Sequence, residues 1–224
     1  MLTLHTAPLV LTAVPPAGAG PAPVPGAVPD GAVLVDRDRI AAVGRYAELA
    51  AAHPAARVRR WPGVITPGLR QWHGRRLLQH TYHPDPREAA ELGTEPLPEE
   101  RLAGLGMTDA RWGASARRGL QRMLRYGTTA VAGTFDLPPV RTAVARSGLT
   151  EVPAAGAPGI GAGVSLDPFR NAPGLTDAVP GPLTVGGRAD LAAFDVPDER
   201  ALSRAGAGTC VATVLAGRLV YRER

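Results

Sequence analysis

Apolar and polar positions alternate weakly from Leu2 to Leu11, in a run rich in β-formers, and predict a strand. Residues 13–30 are mostly Pro, Ala, Gly and Val and close on Pro29-Asp30-Gly31, which predicts a loop ending in a turn. Two short apolar runs, Ala32–Val35 and Ile40–Val43, flank the polar Asp36-Arg-Asp-Arg39 and predict a β-hairpin. A short helix is expected over Tyr46–Ala52, closed before Pro54, and another strand over Arg57–Trp61. Val64-Ile-Thr-Pro-Gly-Leu-Arg-Gln-Trp-His-Gly74 then has the shape of a strand that ends in a tight Pro-Gly turn and presents a histidine. Arg75–His80 predicts a helical turn. Thr81–Pro86 is irregular, because each proline biases the residue before it away from helix. The acidic Glu91–Gly106 reads as a surface loop with one short helix.

From Thr108 the period changes to that of a helix. Trp112, Ala116, Leu120, Met123 and Leu124 fall on one face, and Arg111, Ser115, Arg118, Arg122 and Arg125 on the other. The arginine stripe has the chemistry to grip phosphates; a solvated helix face is the expectation adopted. Gly127 should stop this helix, and Thr128–Ala132 should be a buried strand. Asp136 is the expected N-cap of a second helix opening on Pro138-Pro139 and closed by Gly148. Leu149–Val152 follows as a strand. Helix–strand–helix–strand at this spacing predicts parallel βαβ units. Ala154–Gly163 is low in complexity and expected to be flexible. Val164–Pro168 predicts a short strand ending on Asp167, Leu191–Asp195 a strand, and Val211–Leu215 with Arg218–Tyr221 a closing hairpin. The ends of the chain are therefore all-β and the centre α/β, which predicts an α+β protein whose β domain is discontinuous and closed by both ends.

Composition changes this picture little. With 27 glycines and 23 prolines among 224 residues, long irregular loops are expected around a folded core. There is no lysine, so all 25 basic residues are arginine, and a net charge of +5 spread along the chain does not point to nucleic acid. The single cysteine, Cys210, lies in an apolar run and reads as a small buried hydrophobe. No apolar run reaches the ~18 residues of a membrane span. The start, Met-Leu-Thr-Leu-His, lacks a basic region, so a cytoplasmic protein without a signal peptide is expected. Neither Gly-x-Ser-x-Gly nor a phosphate-binding P-loop occurs.

Four stretches carry a resemblance to a known family. They are Asp30–Gly44, Thr66–His73, Leu120–Gly133 with its Tyr-Gly-Thr-Thr-Ala-Val, and Leu183–Asp195 together with Val211–Tyr221. In this order they resemble the amidohydrolase superfamily, and within it imidazolonepropionase and aminodeoxyfutalosine deaminase. The resemblance implies a composite β-sandwich domain from residues 1–65 and 182–224. It also implies a truncated α/β insert over 66–181, a partial TIM-barrel-like remnant. A closed barrel needs ~200 residues or more, so most of it is missing.

By resemblance the activity is hydrolysis of non-peptide C–N bonds by a water activated on a divalent metal, zinc or iron. The family's first strand supplies a His-x-His pair. His73 fits its first position, but Arg75, which cannot bind a metal, stands at the second. No histidine follows His83. Asp167 is the loose match to the family's last-strand aspartate. His73 and Asp167 are thus the two candidate metal ligands, too few for a catalytic site that takes three. His73, His80 and His83 with Asp85 offer a local metal site at H-x6-H-x2-H spacing, against the plainer reading of histidines on a loop. The expectation is loss of the family's catalysis, with an interaction or small-molecule-binding role as the alternative. An open barrel fragment exposes strand edges and apolar helix faces, so a homodimer or a partner protein is expected to cover them, with neither nucleic acid nor membrane involved.

Overall fold

The computed structural model describes residues 1–13, 26–157, 165–172 and 174–223. β1 (Leu2–Leu11) is the strand around which the larger sheet assembles. β2 (Ala27–Asp36) pairs with it antiparallel along its whole length, from Leu2↔Asp36 to Leu11↔Ala27, and turns through Arg37-Asp38 into β3 (Arg39–Arg45). The predicted turn at Pro29-Asp30-Gly31 is instead part of β2. Asp30 adopts φ +45° there, and the ladder carries on past it.

α1 (Tyr46–Ala52) lies over one face of β1 and β2, where Leu4, Ala32 and Leu34 meet Tyr46, Leu49 and Ala50. The other edge of β1 is filled twice in succession. β4 (Arg57–Arg60) runs parallel to Thr3–Thr6, and β5 (Val64–Pro67) runs parallel to Leu9 and Val10.

Between β5 and the return of the chain to this sheet lies the middle segment. β6 (Leu69–Gln71), α2 (Gly74–Gln79), β7 (Thr81–Tyr82) and α3 (Ala89–Leu92) come first. β8 (Leu97–Pro98), α4 (Asp109–Leu124), β9 (Thr128–Ala132), α5 (Pro138–Ser147), β10 (Thr150–Val152) and α6 (Leu175–Ala178) follow. The large sheet then resumes with β11 (Leu191–Phe194), is interrupted by α7 (Glu199–Ala205), and ends with β12 (Cys210–Leu215) and β13 (Arg218–Arg222).

The result is one eight-stranded mixed sheet in the order β13-β12-β11-β5-β1-β2-β3, with β4 beside β1. It curls. Val33, Val35 and Ile40 from one end share a core with Ile65 and with Leu191, Ala193, Ala212 and Val214 from the other. The hairpin tips lock the curl: Ile40 N–H donates to Gly187 O, and Ala189 N–H donates to Asp38 O. At Gly217, φ +75°, a Cβ would lie 1.7 Å from Arg37 O, so only glycine allows the two turns to meet.

A second, three-stranded sheet in the order β10-β9-β6 is all parallel, as the βαβ pattern predicts. The Pro67-Gly68 pair is not a tight turn. β5 runs on through Gly68 and becomes β6, so the chain passes from one sheet to the next. At Gly68 a Cβ would meet Thr129 Oγ1 at 2.1 Å, and this close approach requires the glycine. α2, α4 and α5 cover the small sheet with Leu77, Leu78, Leu120, Met123, Val140 and Val144.

Four further expectations are corrected. Thr108 caps α4 as its position suggests, but Leu137, not Asp136, precedes α5, and Asp136 pairs with Arg75 instead. Ser165–Asp167 is not a strand: Asp167 caps a 3-10 turn at Pro168–Asn171. Ser115 is buried, because its Oγ accepts the His83 backbone N–H. The arginine stripe is not a solvated face. Arg111 binds Glu88, Arg118 binds Asp85 and the His83 carbonyl, and Arg122 binds the Thr94 carbonyl. Together they clamp the 82–105 excursion onto α4. α7 was not expected, and residues 158–163 of the low-complexity stretch lie outside the described residues.

Candidate functional site

The C-terminal ends of parallel strands leave a crevice in which backbone groups and loop side chains converge. Here the ends of β6 and β9 open into a cleft of about 530 Å³, lined by Trp72, His73, Arg75, Arg76, His80 and Glu99 on one wall and Ala132–Thr134 on the other. Gln71, the last residue of β6, organises this end. It is fully buried, and its Nε2 donates to the carbonyls of Ser165 (3.0 Å) and Leu166 (3.2 Å). Its Oε1 accepts the backbone N–H of His73 at 3.2 Å. One amide therefore ties the histidine turn to the segment that carries Asp167.

Trp72 lines the cleft and Arg70 stacks on it. The guanidinium lies 3.5 Å over the indole ring, and Arg70 Nη2 and Trp72 Nε1 both donate to Asp177 O, at 3.0 and 2.9 Å. None of Gln71, Arg70 and Trp72 was expected as a site residue. No local pattern marks Gln71, which ends a three-residue strand whose middle residue, Arg70, is also polar.

His73 starts α2 and is 9% exposed, and its Nε2 is buried without a partner among the described residues. Burial, with Arg76 nearby, lowers its pKa and favours the neutral ring. Arg75 packs its Cβ against Gly133 and pairs with Asp136 at 2.5 Å. His80 Nδ1 sits 3.1 Å from Glu99 Oε2.

His83 belongs elsewhere. It is wholly buried, its Nε2 donates to Leu77 O at 2.9 Å, and the ring lies against Gly119 of α4. Burial drives its pKa down to about 4. Asp85 is engaged in a capping box with Glu88 and in the pair with Arg118. Asp167 does not line the cleft; its Oδ1 accepts from the N–H groups of Phe169 (2.9 Å) and Ala207 (3.0 Å).

So His73 and His80 share the cleft, while His83, Asp85 and Asp167 are committed to other contacts. Among the described residues no group of three or more His, Cys, Asp or Glu side chains is placed to hold a metal ion. Among the described residues the cleft brings together two imidazoles, His73 and His80, and two donors do not fit a catalytic zinc or iron, which takes three protein ligands. What the cleft does offer is a buried neutral imidazole, an indole and two charged side chains, Arg75 and Glu99, that are held by Asp136 and His80.

No curated protein matches this chain by sequence. Among solved structures, the ochratoxinase of A. niger is similar at 18% identity and a TM-score of 0.44, over 66% of this chain and 29% of that one. The aminofutalosine deaminase of Helicobacter pylori is similar at 14% identity and a TM-score of 0.39, over 67% and 32%. An adenosine deaminase from Xanthomonas campestris with bound zinc is similar at 20% identity and a TM-score of 0.43, over 67% and 33%. The chain thus spans about a third of the length of these proteins. Residues 31–56, covering most of the β2–β3 hairpin, α1 and the turn that follows, match the bacterial family of imidazolonepropionase-like composite domains. At this hairpin, where Asp30–Gly44 already carried the resemblance, the chain is similar to an imidazolonepropionase-like composite domain.

Proposed function

We propose that this chain is an amidohydrolase-like protein that keeps the composite β-sandwich of residues 1–65 and 182–224 as a platform. On this reading residues 66–181 are a truncated barrel, and the metal-dependent hydrolysis of non-peptide C–N bonds implied by the resemblance has been lost. The observation that supports the reading is the fate of the second ligand position. Arg75 stands there, its guanidinium is paired with Asp136, and among the described residues no group of three or more His, Cys, Asp or Glu side chains is placed to hold a metal ion. A fixed cation at that point also repels a divalent metal. The remaining role is binding, of a small molecule in the cleft or of a protein, including a second copy, on the uncovered faces of the truncated barrel.

Metal analysis of protein purified without a histidine tag tests this. Zinc and iron far below one equivalent are expected, in the parent and in His73→Ala alike. Near-stoichiometric metal that disappears in His73→Ala would overturn the reading and restore the hydrolase.

A further inference from the structure

A second concavity lies away from the cleft, between α4 and α5, with a volume of about 330 Å³. Its floor is apolar: Leu120 and Leu124 from α4, Ala143 from α5, and Leu149 just before β10. Its rim carries one arginine from each helix, Arg117 and Arg146, both exposed. Neither makes an ion pair among the described residues, unlike Arg111 and Arg118 on the neighbouring face of α4. Among the described residues no carboxylate lines the groove. α5 contains none, and Asp109, the only one in α4, sits in its first turn. An apolar floor edged by Gln121, Thr142 and Ser147 and by one arginine from each helix has the layout of a recognition surface, with a dehydrated centre and a polar rim that selects charge.

We propose that this groove docks an acidic amphipathic helix of a partner protein. Ridges of side chains on a third helix fit the furrow between two packed helices. Leucine-sized residues at i and i+4 reach the floor from one face of such a helix. Carboxylates flanking those anchors meet Arg117 on one wall and Arg146 on the other. The partner is thus defined by chemistry: a short helix with paired aliphatic anchors and acidic neighbours. The inference does not depend on whether the cleft beyond β6 binds metal, since the two sites share no residue.

The test is fluorescence anisotropy with a labelled, end-capped peptide in which two leucines four residues apart are flanked by glutamates. A matched peptide with lysines in place of the glutamates is the control. The acidic peptide should bind, more weakly as salt rises, and the basic one should not. The Arg117→Glu, Arg146→Glu double variant should weaken binding at least about tenfold, with its far-ultraviolet dichroism and melting curve unchanged. If charge reversal disturbs folding, Arg117→Gln with Arg146→Gln replaces it, and a severalfold loss is expected. Equal binding of the two peptides, no binding of the acidic one, or affinity unchanged in the variants would overturn the proposal. So would self-association of the protein that the same variants abolish, because the occupant would then be a second copy.

Discussion

His5 and His83 are kept neutral inside the protein by different neighbours. His5 is 2% exposed, stacks on Trp61, and accepts the indole N–H on Nδ1 at 3.1 Å. Burial, helped by Arg59, brings its pKa to about 4. His83 reaches the same value through burial, with Arg122 and Arg118 adding to it and its bond to Leu77 O opposing. In both, the folded pKa lies below the unfolded value of 6.5, so the unfolded chain binds more protons between the two. Stability is therefore full above about pH 6.5 and falls as pH drops towards 4, by roughly 3 kcal/mol for each ring. Together that approaches the whole stability of an ordinary domain. The urea midpoint should fall steadily over this range, and His83→Gln should remove about half of the fall. A midpoint that stays flat down to pH 5 would contradict the assignment. The burial of these rings was not readable beforehand. His5 sits in a strand that alternates only weakly, and His83 among prolines that look like surface loop.

Among the elements, the passage from β5 to β6 depends on one glycine. Gly68→Ala should cost about 1–3 kcal/mol through the clash with Thr129. Thr129→Gly in the same chain should recover part of that loss, as a double-mutant cycle in urea would show. Additive losses would mean that the contact relaxes freely. The excursion over 82–105 is held mainly by Arg111, which donates to Tyr82 Oη at 3.1 Å, to Glu88 Oε1 at 2.6 Å and to Leu105 O. In Arg111→Ala, amide hydrogen exchange should quicken across that excursion and stay unchanged in β1 and β2. Equal quickening in both would show that the excursion is not a separate unit.

The two cases differ in how far the sequence reached them. α4 was legible because its period is local and strong, from Trp112 to Leu124. What its arginines hold was not, because the partner is a polar, proline-broken stretch whose fold-back is decided by tertiary contacts. The Pro67-Gly68 pair likewise has the local chemistry of a turn, and only Thr129 from a distant strand shows that it serves a close approach.

At the scale of the molecule, the larger sheet needs both ends of the chain. β11–β13 supply Leu191, Ala193, Ala212 and Val214 to the core that β1, β2 and β5 share. Burying a side chain of leucine or valine size is worth about 1.5–3 kcal/mol, so removing residues 191–224 should abolish cooperative unfolding. Retention of a sharp thermal transition would refute the shared core. This closure was visible early, since both ends read as strands and the middle as βαβ. The cleft was visible only in outline: His73 was named, but Gln71, which positions it, offered no pattern.

Pro67 and Leu191, where the middle segment leaves and rejoins the larger sheet, are register partners, and Gly68 N–H donates to Asp190 O at 2.9 Å. To that sheet, everything from 68 to 190 is the loop of a hairpin. Loop-closure entropy grows only with the logarithm of length, so doubling or halving such a loop changes the free energy by about 0.6 kcal/mol. A joint of this kind is a socket that is almost indifferent to the size of what is plugged into it. An insert can shed strand after strand and the socket still closes, provided the part nearest the joint continues to cover Val64 and Phe194.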